Sequence, residues 1–99
     1  MTDRKTPQLD FNALVLSLGS SALIHLGLAP DPTTQQQAPL DLGLSQQSID
    51  LLALLQEKTR GNLTPEEAAF LATMLRDLRL RFVDAARSAA AQASEARKP

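Results

Sequence analysis

The chain has 99 residues, 43% hydrophobic and 21% charged, with a formal net charge of −1. That length limits it to one small core, and so even a charge balance supplies no basic field to hold a polyanion. The absence of cysteine removes disulfides, thiolate metal sites and cysteine nucleophiles; with three Phe and no Tyr or Trp, the core must be aliphatic.

Residues 1–9 read as a flexible tail ahead of a helix. Asp10 fits the N-cap, where a carboxylate accepts from the free N–H groups of the first turn. From there, helical spacing puts Phe11, Leu14, Val15, Leu18, Ala22 and Leu26 on one face. Leu16 and Leu23 fall on a separate flank, and Ile24 on a third. Ala13, Ser17, Gly19, Ser20 and Ser21 are small enough to admit another helix closely. Gly27 suits the position just past the helix, and Pro30 and Pro32 prevent continuation. A helix that is apolar on several sides requires neighbours on several sides.

Arg4 and Lys5 precede this apolar run, which raises the question of a signal peptide or membrane span. Residues 11–28 number 18, of which 11 are Ala, Val, Ile, Leu or Phe, whereas a span needs about 20 predominantly apolar residues. Three serines, an asparagine and a histidine dilute the run, and Ala29-Pro30 is a poor cleavage junction. A cytoplasmic protein is therefore expected.

Residues 29–41 form a Pro-bracketed polar loop, long enough to let a second helix return antiparallel. That helix starts between Asp41 and Ser45 and runs to about Thr59. Leu44, Leu51, Leu52, Leu54 and Leu55 spread over a broad arc that Ile49 widens, more than one helix contact needs. Gly61-Asn62 then marks a tight turn. Thr64-Pro65-Glu66-Glu67 has the form of a capping box, with proline at the first helical position and both glutamates at the positive end of the helix dipole. Leu71, Met74, Leu75, Leu78, Phe82 and Ala85 share one stripe of this third helix, with Leu80 and Val83 well off it. The domain is taken as 10–88, with 89–99 a fraying, Ala-rich tail.

Chemical groups are sparse. His25, the single histidine, has Ser21 four residues before it but no orienting carboxylate on its helix and no second histidine to share a metal. It reads first as a boundary residue between core and solvent, and second as a pH-sensitive assembly contact. Arg76, Asp77, Arg79, Arg81, Asp84 and Arg87 form a dense cluster of both signs, and the spacing lets Asp77–Arg81 and Arg81–Asp84 pair along the helix. A solvated, salt-bridged face is the first reading of that cluster. A protein contact is the second, because Arg76 and Arg87 share a side with Leu80 and Val83. Nucleic acid or phosphate comes last, since carboxylates interleave the arginines. The serines around Gly19 lie within a helical pattern and lack the lysine of a phosphate loop.

The segments FNALVLSLGSSALIHLG and IDLLALLQEKTRGNLTPEEAAFLATMLRDLRLRFV resemble the small bacterial proteins grouped as domain of unknown function 1844. The resemblance spans roughly Phe11 to Ala86. It implies an all-helical fold and carries no activity or functional residue with it.

The expectation is thus an all-α, three-helix domain: a hydrophobic first helix, a long loop and a helical hairpin. Three helices enclose one core and leave Leu16, Leu23 and Ile24, with Leu80, Val83 and also Ile49, without obvious cover. A homodimer completing a larger bundle is the first expectation, which makes the protein a non-enzymatic interaction module with no cofactor and no metal. An unidentified protein partner stands beside it. A peripheral membrane protein inserting residues 11–28 is the alternative, though no Lys or Arg lines that helix. A small ligand-binding bundle or enzyme built on His25 and the arginines is the third.

Overall fold

Three helices account for most of residues 10–96, the part of the chain that the computed structural model describes: α1 (Phe11–His25), α2 (Leu42–Lys58) and α3 (Pro65–Ala96). Among the described residues no strand forms, and the one extended pairing is an isolated bridge between Pro30 and Gln37. The chain is all-α.

Each helix begins at a side-chain cap. Asp10 is extended and accepts from the Ala13 N–H at 2.8 Å. Asp41 does the same for the Leu44 N–H at 2.9 Å. At α3 the capping is reciprocal: the Glu67 N–H donates to the Thr64 hydroxyl at 3.1 Å, and the Thr64 N–H donates to the Glu67 carboxylate at 2.9 Å. These contacts satisfy backbone donors that no helical carbonyl can reach.

The end of α1 is as well defined. Gly27 takes a φ of 75°, its N–H donates to the Ile24 carbonyl at 3.0 Å, and the Leu28 N–H reaches the Leu23 carbonyl at 2.9 Å. This is a Schellman closure, for which glycine pays no Cβ penalty. The loop that follows folds back on itself. The Asp31 N–H donates to the Gln36 carbonyl at 2.8 Å, and the Gln37 amide donates to the Gly27 carbonyl. The Asp41 N–H donates to the His25 carbonyl at 2.8 Å, tying the start of α2 to the end of α1.

α1 and α2 are therefore antiparallel, and the Ser48 hydroxyl meets the Ser21 hydroxyl at 3.2 Å between them. Ser45 and Ser48 are buried on α2, and Gly19 and Ala22 on α1. Short side chains let the helices lie close, and the buried hydroxyls have partners: Ser45 donates to the Leu42 carbonyl at 3.0 Å. Val15, Ala22, Ile49, Leu52, Leu71, Leu75 and Leu78 form the core, with Phe11, Leu18, Met74 and Phe82 packed around it. At Gly19 the Met74 side chain of α3 packs directly over the backbone of α1: a Cβ built there would lie 2.7 Å from Met74 Sδ.

Two expectations are corrected. Ile49 is 1% exposed and belongs to the core rather than to an uncovered edge. Leu14, assigned to the buried face of α1, is 47% exposed, because the core lies toward Val15 and Gly19. α3 runs in helical geometry to Ala96, through the alanines, which favour helix without needing a neighbour. At 1.5 Å per residue its 32 residues span about 48 Å, roughly twice the 15-residue α1.

Two predictions follow from these contacts. Gly19→Leu forces Met74 out of its site and should lower the free energy of urea unfolding by about 1–3 kcal/mol, with Gly19→Ala much milder because the Met74 tip can yield and alanine favours helix. In the loop, hydrogen bonds to Asp31 from the Thr33 hydroxyl (2.7 Å) and then the Thr33 N–H (2.8 Å) hold its carboxyl below the ordinary value of 3.8. A depressed carboxyl stabilises the loop above its unfolded pKa and ceases to do so as pH falls through the folded one. NMR titration should find Asp31 protonating below 3.8, with the Thr33 amide proton moving upfield over the same acidic range as it loses its carboxylate acceptor.

Candidate functional site

Of the six residues expected to lack cover, the five other than Ile49 divide by location. Leu16 is 54% exposed, on the flank of α1 opposite to Leu14. Leu23 shares that flank but packs against the core, so its own chain covers part of it. Ile24 is half-buried on the outer side. Leu80 (60% exposed) and Val83 (43%) lie elsewhere, in a groove lined by α2 and α3, with Gln56, Leu75, Arg76 and Arg79 and nothing from α1. The structure brings Leu80 and Val83 together with Arg76, as the helix spacing implies, and does not bring them to Leu16 or Ile24.

Arg87 lies outside the lining of that groove, and Arg79, named in the charged cluster but not as sharing a side with Leu80 and Val83, lines it instead. The expected Asp77–Arg81 and Arg81–Asp84 pairs do not form. Arg76 Nε lies 3.8 Å from Asp77 instead, with both side chains more than half exposed. An ion pair so long and so wet contributes little to stability. The groove is thus cationic at its rim and apolar at its floor.

His25 is half-buried, and its Nδ1 donates to the Ser21 carbonyl at 2.9 Å. That bond is local, within the last turn of α1, and brings neither a nucleophile nor a carboxylate to the ring. Among the described residues no group of three or more His, Asp or Glu is placed to hold a metal ion. No described helix is long and apolar enough to cross a membrane.

A further exposed apolar surface lies on the outer side of α1 and α2. Leu44, Leu51 and Leu54 of α2 are 44%, 43% and 50% exposed. The Ser21–Ser48 contact and the Asp41–His25 bond set α2 beside α1 in antiparallel register. In that register Leu14 and Ser17 stand near the Leu51–Leu54 end, and Ile24 near Leu44. A shallow depression beside Leu14 is lined by Phe11, Ala13 and Ser17. From Phe11 to His25 α1 contributes no aspartate, glutamate, lysine or arginine to this surface. The broad leucine arc of α2 was the available sequence signal; which part of it faces outward depends on where α1 and α3 sit.

No curated protein and no solved structure matches the chain. Residues 8–84 match the family described as Domain of unknown function (DUF1844), and the chain belongs to that family.

Proposed function

We propose that this protein is a non-enzymatic helical interaction module that self-associates, the outer face of α1 and α2 being covered by a second copy. The observation that carries this reading is the uncharged outer side of α1 beside three half-exposed leucines of α2. Contiguous apolar surface of this kind marks interaction sites on soluble proteins.

Magnitudes indicate how much of the face must take part. Completing the burial of a half-exposed leucine is worth about 1 kcal/mol. Leu44, Leu51 and Leu54 from two copies then supply about 6 kcal/mol, near the bottom of the roughly 4–15 kcal/mol that association costs. Leu14 and Ile24 of α1 are needed to give a stable pair, so the contact involves both helices. The small Ser17 and Ala13 let a facing helix approach closely enough to bury them.

Light scattering at tens of micromolar should give a two-copy mass; a single-copy mass would rule out self-association. Leu51→Glu combined with Leu54→Glu should return the mass to one copy. Because both side chains are exposed in the single chain, helix content by circular dichroism should be unchanged.

A further inference from the structure

The exposed side of α2 has an order of its own. Leu44, Gln47, Leu51, Leu54 and Lys58 alternate spacings of three and four, the repeat that makes a seam between two helices. The buried residues Ser45, Ser48, Ile49 and Leu52 occupy a different side, so the seam lies outside the core cluster and its leucines stay about half exposed. We infer that α2 packs antiparallel against α2 of a second copy across a two-fold axis, with that seam as the contact. The inference rests on the self-association reading and specifies its partner helix, direction and register.

Charge selects the direction. A parallel pair sets Lys58 against the partner's Lys58 and the Asp41 cap against the partner's Asp41. An antiparallel pair sets Lys58 beside the partner's Asp41 and opposes the two helix dipoles, both favourable. Antiparallel pairing then places Leu44 against the partner's Leu54 and Gln47 against the partner's Leu51. Both pairings centre on the level of Ile49.

α1 locates the same axis independently. The 3.2 Å contact between Ser48 and Ser21 puts Ser20 and Ser21 of α1 at the level of Ser48 and Ile49. On the outer side of α1, Ser17 and Ile24 are centred on Ser20 and Ser21. A two-fold at that level therefore sets small Ser17 against the partner's Ile24, so the bulky residue of one copy faces the short one of the other. Gln47 is the one uncharged polar residue in the seam, the type of position that fixes register at some expense in affinity.

The chain is free of cysteine, so single replacements report cleanly. Under mild oxidation an equimolar mixture of Leu44→Cys and Leu54→Cys chains should form the mixed disulfide about tenfold faster than either variant links to itself, since a bridge needs Cα atoms within about 7 Å. Faster self-linking of the separate variants would establish a parallel pair and overturn the inference. Gln47→Leu should tighten the dimer by about tenfold or more in sedimentation equilibrium, because it removes the polar layer; an unchanged constant would overturn it too. A wild-type chain that is monomeric defeats the self-association reading itself, whereas a two-copy wild type lacking the 44–54 link defeats only this seam.

Discussion

The absence of fixed charge along α1 is the constraint on which the rest of the structure depends. A 15-residue helix with no Asp, Glu, Lys or Arg has no side that prefers water strongly. Two neighbours from its own chain take Val15, Gly19 and Ala22. That leaves Leu14, Leu16 and Ser17 facing out, with Ile24 partly covered. The other elements accommodate this helix: α2 offers serines where α1 comes near, and α3 offers Met74 above Gly19. A flexible thioether suits an approach over bare backbone, since it can adjust where a branched chain could not.

Where a feature is fixed by residues three or four apart, the sequence was sufficient to read it. The Asp10 and Thr64 caps, the Gly27 stop and the Gly61 turn are all of this type, and the structure places each where the local chemistry requires, whereas the start of α2 is legible only to within Asp41–Ser45 and the structure supplies the Asp41 cap. Burial was less legible. Ile49 and Leu14 both sit at the edge of an apolar arc, and one is in the core while the other is in solvent. Helical periodicity gives the width of an arc but not the direction in which its neighbours lie. Ser45 and Ser48 illustrate the same limit from the polar side: their burial follows from the closeness of α1, which no local pattern encodes.

The candidate surfaces were partly legible for the same reason. Leu80 and Val83 lie off the main stripe of α3 by spacing alone, and they are exposed. Their company is a tertiary fact. The groove around them takes Gln56 from α2 and arginines from α3, and nothing from α1. A patch assembled in thought from every uncovered residue therefore becomes two surfaces with different chemistry.

That difference bears on how the proposed module would work. The α3 groove is rimmed by arginines, so any contact there is oriented by charge and weakened by salt. The α1–α2 face has few charges to orient a partner, and a purely apolar contact tolerates sliding and reversal. Direction on that face must come from the few features that break its uniformity: Gln47 within the leucines, Lys58 at one end and Asp41 at the other. Each is placed by the same helix that carries the leucines. Leu44, Leu51 and Leu54, which supply part of the area in the proposed pair, thus share one helix with the residues that supply direction, while Leu14 and Ile24 supply the rest of the area from α1.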